Sequence, residues 1–255
     1  MKKSFLTCEK PLVTAMIKHK STADECIEEI KRAHFVGAEA IGIQMEELSR
    51  EYHTSEYIKR IFSAAADKPL YVTNYKLNFN LDLSYEELTE ELIFYAENGA
   101  TLCDITGDTF DKHPDELSES ETAIEKQMKV IEKLHNIGSE VLMSSHINRF
   151  ISEERVLEVA REHKRRGADI SKIVTAGNTM AEQIENLRIT NCLKEKAGIP
   201  CLFLSGGTEC RIHRRLGILI GSCMSLCVSD NAPLNPQPYV SDQLNIRDNM
   251  NFEGK

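Results

Sequence analysis

The chain has 255 residues, of which 41% are hydrophobic and 28% are charged, a composition typical of a globular domain with a substantial core. Its net charge of −9 at pH 7 argues against a nucleic-acid partner and against an anionic membrane surface, because neither is attracted to an acidic protein. The longest apolar stretch, residues 216–228, is too short to span a bilayer. The eight cysteines contain no CxxC pair, which predicts free thiols in a reducing cytoplasm.

Short apolar runs alternate with amphipathic segments along the whole chain. The amphipathic segments begin at Ser or Thr and end near Gly, as helices do. A strand–helix unit repeated eight times predicts a parallel (β/α)8 TIM barrel, with residues 1–255 as a single domain and a polar tail from about residue 238. A doubly wound open sheet is the alternative. The apolar runs that predict strands are residues 11–17, 40–45, 69–75, 101–106, 140–146, 170–175, 200–206 and 219–228.

Three neighbouring predicted strands carry ionisable residues. Asp104 lies in the fourth strand, His146 ends the fifth, and Lys172 lies inside the sixth. Barrel enzymes place catalytic groups at the carboxyl ends of their strands, and adjacent strands are about 4.8 Å apart. We therefore expect these three side chains to form one catalytic cluster. His146 and Asp104, each taken alone, are more typical of structural roles, and only the cluster favours function. No histidine or acid pair has metal-ligand spacing, so no metal site is predicted.

Lys172 is the most informative of the three residues. A fully buried lysine is rare unless it is paired, and burial disfavours its charge. A neutral amine attacks carbonyls, and the protonated imine that results withdraws electrons from the adjacent carbon. This chemistry is shared by imine-forming dehydratases and by class I aldolases.

Four motifs extend this interpretation. They are "SSHIN" (144–148), "GADISKIV" (167–174), "CRIHRRLGILIGS" (210–222) and "APLNPQ" (232–237). Together they resemble the type I 3-dehydroquinate dehydratase family, whose patterns are roughly S-x-H, GAD-x-x-K-[IV], S-R-x-x-x-x-x-x-G-S and A-P-G-Q. The resemblance implies a lyase of the shikimate pathway of aromatic amino acid biosynthesis that converts 3-dehydroquinate to 3-dehydroshikimate and water. It also implies a cytoplasmic homodimer that uses no cofactor.

Residue roles carry over by position from this resemblance. Lys172 matches the Schiff-base lysine, and His146 matches the general acid–base. Arg211 matches the arginine that grips the substrate carboxylate. Gln237 matches the glutamine of the closing loop, and Asp104 matches the acid at the end of the fourth strand.

The chain departs from the family around the substrate. An E-x-R-x-D pattern in the second strand becomes Gly42, Gln44 and Glu46. After the third strand, where the family has an arginine and then an acid, this chain has Tyr75, or Lys76 with a one-residue shift, and no acid. The "APLNPQ" loop is also longer than its family counterpart. These changes predict intact catalytic machinery in a rebuilt pocket, with Gln44 and Lys76 as substrate contacts beside the transferred arginine and glutamine.

Three functions follow from these observations. The first is a divergent dehydratase acting on 3-dehydroquinate, with Lys76 standing in for an arginine. The second is a Schiff-base dehydratase or class I aldolase for a different anionic keto acid or phosphosugar, since two glycines and a threonine (206–208) begin the helix after the seventh strand. The third is a non-catalytic barrel that binds a ligand. The presence of both His146 and Lys172 argues against the third.

Overall fold

The computed structural model describes residues 4–229 and 236–250. Within these ranges eight parallel strands alternate with eight α-helices. The strands are β1 (Leu12–Ile17), β2 (Ala40–Gln44), β3 (Leu70–Thr73), β4 (Leu102–Thr106), β5 (Glu140–His146), β6 (Ile170–Ala176), β7 (Cys201–Gly206) and β8 (Met224–Cys227). The helices are α1 (Ala23–Phe35), α2 (Ser55–Ser63), α3 (Tyr85–Glu97), α4 (Glu121–Ile137), α5 (Glu153–Arg165), α6 (Met180–Lys196), α7 (Cys210–Ile220) and α8 (Val240–Asn249).

The strands follow one another in sequence order around a ring. They pair in the order β7-β6-β5-β4-β3-β2-β1-β8, so β1 lies between β2 and β8. At the remaining seam the Cys223 amide donates a hydrogen bond to the Cys201 carbonyl oxygen at 2.9 Å. The predicted (β/α)8 barrel is confirmed, and the doubly wound sheet is excluded.

The helix boundaries follow from capping chemistry. Thr22, Ser84 and Thr179 each accept a hydrogen bond from the backbone of a glutamate three residues later, whose side chain accepts one from the cap backbone in return. Gly138 ends α4 in the left-handed conformation, with φ of 88°. These positions are the Ser, Thr and Gly residues that the sequence pattern singles out.

Two sequence expectations change near the carboxyl terminus. The eighth strand was predicted from residue 219, but Leu219 and Ile220 end α7, because an apolar run does not distinguish a half-buried helix end from a strand. The polar segment after residue 238 contains α8. In α8, Val240 is buried, and Arg247 forms an ion pair with Glu39 at 2.9 Å.

Side chains alternate between the barrel interior and the layer beneath the helices. Leu142, Ile170 and Leu202 pack inside the barrel, whereas Val141 and Ile173 belong to the outer core. Because strand side chains alternate with a period of two, Lys172 shares the inward face of β6 with Ile170. The register of β6 therefore places the lysine inside the barrel.

Arg166, directly after α5, fixes the connection between β4 and α4. Its side chain is buried and donates to the carbonyl oxygens of Gly107 (2.8 Å) and Ser118 (2.6 Å), near the two ends of that connection. It also donates to Gln127 and to Glu162, both at 2.8 Å. One guanidinium thus joins both ends of this connection to α4 and α5, and it supplies the donor to the buried Ser118 carbonyl oxygen and to the buried Gln127 side-chain oxygen.

We expect Arg166→Leu to lower the free energy of unfolding by about 3–5 kcal/mol, because it leaves the buried Ser118 carbonyl oxygen and the buried Gln127 side-chain oxygen without the Arg166 donor. Urea denaturation of the purified variant measures this loss. Arg165→Leu is the matched control: Arg165 pairs with the same Glu162 from an exposed position, where such a pair contributes about 0–1 kcal/mol. Equal losses in the two variants would contradict the role assigned to Arg166.

Candidate active site

Lys172 lies in the barrel interior with only 5% of its surface exposed. Its ammonium has three acceptors, which match its three N–H donors. Nζ lies 3.1 Å from Asp104 Oδ2, 2.6 Å from the Tyr75 hydroxyl and 3.1 Å from the Tyr71 hydroxyl. Burial disfavours a charge on this amine, and the adjacent Asp104 carboxylate acts in the opposite direction.

Asp104 is the centre of this cluster. Oδ2 accepts hydrogen bonds from the Tyr71 and Tyr75 hydroxyls, each at 2.5 Å, and Oδ1 accepts one from Ser144 at 2.6 Å. Burial opposes the charge of the carboxylate, but Lys172 and these hydrogen bonds outweigh burial and keep the pKa of Asp104 below its usual value. Burial, reinforced by the charge of Asp104, raises the pKa of both tyrosines well above 10, so they remain phenols that donate to the carboxylate.

His146 lies beside this cluster, at the end of β5. Its ring packs edge-on against Tyr75, with ring centroids 5.4 Å apart. Glu116 Oε2 lies 2.7 Å from Nδ1 of His146 and accepts a hydrogen bond from its backbone N–H at 2.8 Å. The carboxylate therefore fixes the orientation of the imidazole and leaves Nε2 as the nitrogen available for proton transfer.

Glu116 itself is held in a left-handed backbone conformation, with φ of 45°. Its carbonyl oxygen accepts a hydrogen bond from Ser145 Oγ at 2.7 Å. Ser145 in turn contacts Nε2 of the buried His163 at 3.0 Å, and the other ring nitrogen of His163 contacts Ser171 at 2.9 Å. Outward-facing residues of β5 and β6 thus support the carboxylate that orients an inward-facing histidine.

The sequence analysis did not identify Tyr71, Tyr75 and Glu116 as members of this cluster. Tyr71 lies in an apolar run that predicts a strand, so its sequence context indicates a core residue. The available signal was its hydroxyl, because a buried tyrosine usually needs a hydrogen-bond partner. Glu116 is one of several acids in the connection between β4 and α4, and no spacing distinguishes it. The chain has no acid after β3, where the family pattern has one. The carboxylate next to His146 comes from the connection after β4 instead.

The arginine predicted to grip a carboxylate lies apart from the cluster. Arg211 is exposed at the start of α7. Arg214, one turn later, is half-buried and donates from Nε to the Ser205 carbonyl oxygen at the end of β7, at 2.8 Å. The sequence contained a signal for this arginine: six residues separate Arg214 from Gly221-Ser222, as the family pattern requires, whereas nine follow Arg211.

Lys18, directly after β1, adds a second cation near Arg214. Burial lowers the pKa of Lys18, Glu47 raises it, and the nearby Arg214 lowers it further. Burial also lowers the pKa of Arg214. Two partly buried cations thus lie near the carboxyl ends of β1 and β7, with the Glu47 carboxylate close to Lys18.

The other predicted contacts are distributed around the mouth. Gln44 lies at the end of β2, 3.3 Å from Glu46. Lys76 is exposed and donates to the Leu83 carbonyl oxygen, with its ammonium 5.5 Å from the ring centroid of Tyr85. Gln237 is half-buried, and most of the "APLNPQ" loop before it lies outside the described residues.

Glu46 is buried beneath the segment that carries Tyr75. Its carboxylate accepts hydrogen bonds from Thr73 Oγ1 at 2.9 Å and from the Tyr75 backbone N–H at 3.4 Å. Burial raises the pKa of Glu46 to about 7. The acid that replaces the family aspartate thus supports the backbone of β3 and of the tyrosine that follows it.

A cavity of 720 Å³ opens beside the cluster. His146, Asp104 and Tyr75 line its inner end, and Gln44 and Lys76 also border it. From there it extends between the loops after β3 and β4 towards α3. His146 and the Asp104 and Tyr75 partners of Lys172 therefore face a space large enough for a small organic molecule.

Two classes of feature are missing from the described ranges. No helix there is both long and apolar enough to cross a bilayer. Within the same residues, no group of three or more His, Cys, Asp or Glu side chains is arranged to hold a metal ion.

Known proteins resemble this chain in sequence and in fold. The 3-dehydroquinate dehydratase of Listeria monocytogenes serotype 4b (strain F2365) is 28% identical over 156 residues, which cover 61% of this chain and 60% of that protein. The crystal structure of 3-dehydroquinate dehydratase from Geobacillus kaustophilus HTA426 superposes with a TM-score of 0.82 at 15% identity, covering 97% of this chain and 93% of that one.

A second crystal structure agrees with the first. It is the type I 3-dehydroquinate dehydratase of Clostridium difficile with covalently modified comenic acid, with a TM-score of 0.78, 18% identity and coverage of 95% and 93% of the two chains. At these identities the superpositions show the fold alone. The sequence model of type I 3-dehydroquinase matches residues 18–248, and the chain therefore belongs to the type I 3-dehydroquinase family.

Proposed function

We propose that this protein is an imine-forming hydro-lyase that dehydrates an anionic cyclic ketone, with 3-dehydroquinate as the leading substrate. The observation that carries the proposal is the cluster of Lys172, Asp104 and Tyr75 inside the barrel, beside the His146–Glu116 pair at the carboxyl end of β5. The name of the Listeria relative and the covalently modified ligand of the Clostridium structure agree with this chemistry.

The first half of the reaction forms the imine. Asp104 takes a proton from the Lys172 ammonium, directly or through the Tyr75 hydroxyl, which accepts from Nζ and donates to Asp104. The neutral amine adds to the ketone carbon, and the carbonyl oxygen is protonated and leaves as water. Tyr75 lies close enough to Nζ to hydrogen-bond to that departing oxygen.

The second half eliminates water from the substrate. The protonated imine acidifies the adjacent carbon, from which His146 Nε2 removes a proton. The same imidazole then returns a proton to the hydroxyl group on the next carbon, and that group leaves as water. Glu116 stabilises the imidazolium between the two transfers, and hydrolysis of the imine releases the product and regenerates Lys172.

Arg214 replaces Arg211 in our assignment of the carboxylate contact. Its partial burial and the orientation of its guanidinium at the end of β7 favour a charged ligand over bulk water. Lys18 supplies a second positive charge nearby. Gln44 and Gln237 complete the polar contacts of the substrate, and Lys76 lies further out at the rim.

The remaining parts of the proposal concern the whole protein. We propose one domain over residues 1–255 that works as a cytoplasmic homodimer without a cofactor. The continuous outer core, which joins residues from β1 to α8, supports the single domain. Family membership supports the location and the assembly.

Borohydride trapping tests the imine. Incubation with 3-dehydroquinate and sodium borohydride should add one substrate-derived mass on Lys172, because reduction converts the reversible imine to a stable amine; peptide mass spectrometry locates it. Lys172→Met should show neither the adduct nor turnover, whereas Lys129→Met, which removes an exposed lysine of α4, should retain both. An adduct on another lysine would refute the proposed mechanism.

We expect His146→Ala to lower turnover by about 10²- to 10⁴-fold while a trapped adduct still forms, because proton transfer follows imine formation. Glu116→Gln should lower turnover in the same direction, since the amide cannot stabilise the imidazolium. Steady-state rates and the yield of trapped adduct are measured on the same preparations. Near-normal turnover in His146→Ala would identify the histidine as structural.

Arginine substitutions test the carboxylate contact. Arg214→Ala should raise the apparent binding constant for 3-dehydroquinate by about 10- to 150-fold, because a hydrogen bond to a charged group contributes about 1.5–3 kcal/mol. Arg211→Ala removes an equal charge from an exposed position of the same helix and should change the constant by less than about 3-fold. The reverse pattern would restore Arg211 as the carboxylate contact.

A further inference from the structure

The 720 Å³ cavity beside the candidate active site has two chemically different walls. The loop after β4 provides a polar wall that includes Asp108 and Lys112. The opposite wall, from α3, the loop before it and β4, is mainly apolar. Its apolar residues are Leu77, Leu81, Tyr85, Leu88, Leu92 and Ile105, and Asn74, Lys76 and Thr89 also border this side. A ligand that fills this cavity from the catalytic end therefore meets a mostly hydrocarbon surface.

The loop that carries two of these leucines is held firmly in place. Asn80 donates to Asn74 Oδ1 at 2.8 Å and to the Tyr75 carbonyl oxygen at 3.1 Å, and Asn74 donates to the Leu88 carbonyl oxygen at 3.1 Å. Arg50 donates to Asn80 at 2.9 Å from the neighbouring loop. The loop conformation is thus determined by buried amides and not by its leucines.

Leu77 and Leu81 remain 53% and 60% exposed on this fixed loop. Covering them would remove apolar surface from water, which is favourable in proportion to the area covered. Both border the same cavity as His146 and Asp104, so a ligand at the catalytic groups is the molecule placed to cover them. The family pattern has charged residues at two positions on β2 and at one position after β3. This chain has Gly42, Gln44 and Tyr75 there, so this side of the mouth carries fewer charges.

We propose that the cavity against the leucine wall is a subsite for an apolar arm, alkyl or aryl, so that among keto acids that differ only in this arm the protein binds the one that carries it more tightly. This inference rests on the proposed function, which places the ketone at Lys172. Arg214 reaches the mouth from β7, whereas the apolar wall lies beyond β3 and β4, on the other side of β6 and β5. A ligand with its carboxylate at Arg214 and its ketone at Lys172 therefore directs its remaining substituent towards the cavity.

Two 2-keto acids that differ only in the arm provide the test. Pyruvate and phenylpyruvate share the carboxylate and the ketone, and borohydride trapping on Lys172 gives the half-saturating concentration of each. We expect phenylpyruvate to half-saturate at a concentration at least about 10-fold lower, because burial of an aryl group contributes more than a factor of ten in binding. The double variant Leu77→Ser/Leu81→Ser should reduce this preference to about 2-fold or less.

Ile184→Ser is the matched control, since Ile184 is 58% exposed on α6 and does not border the cavity. It should keep the full preference. Calorimetry on Lys172→Met adds a measurement that needs no imine: 3-phenylpropanoate should bind about 10-fold or more tightly than propanoate. The double leucine substitution in that background should abolish the difference.

Equal half-saturation by the two keto acids, or a preference that survives the double leucine variant, would overturn the apolar arm and leave the imine chemistry standing. A preference lost equally in Ile184→Ser would also overturn it. Absence of any adduct with these ketones and with 3-dehydroquinate would overturn the proposed function. In that case, tighter binding of 3-phenylpropanoate by Lys172→Met would still support the apolar compartment.

Discussion

The ion pair between Lys172 and Asp104 is the constraint on which the rest of the barrel mouth depends. Removing one partner of a buried pair commonly costs about 3–5 kcal/mol, so the two residues must be retained or lost together. Tyr71 and Tyr75 complete the pair by accepting from the ammonium and donating to the carboxylate. Nζ of Lys172 therefore has an acceptor for each of its possible N–H donors. The carboxylate that pairs with it is also the nearest base that can remove a proton from it.

The groups around this pair come from different elements of the barrel. His146 lies at the end of β5, and its carboxylate partner, Glu116, comes from the connection after β4. Tyr75 occupies the region where the family has an arginine and directs a phenol at Nζ. A hydroxyl donates and accepts, whereas a guanidinium only donates, so this replacement changes how protons can move near the lysine.

The outer face of the barrel carries a second polar network that serves the inner one. Arg166 ties the connection between β4 and α4 to α5, and His163 holds Ser145, which in turn holds the backbone of Glu116. These groups are buried beneath the helices and do not contact the cavity. Their hydrogen bonds restrict a loop residue with a left-handed backbone, and this restriction lets a loop carboxylate orient a strand histidine.

The sequence by itself determined the repeated strand–helix unit and favoured a barrel over an open sheet. It also placed Asp104, His146 and Lys172 on three neighbouring strands, without showing which way their side chains face. Local patterns such as these depend only on neighbouring residues. Partners separated by many residues, such as Glu116 with His146 or Tyr71 with Lys172, depend on how loops and strands meet in space. The tertiary structure alone decided which acid orients the histidine, which arginine is partly buried, and that the cavity has an apolar wall, because loop conformation and barrel curvature set those distances.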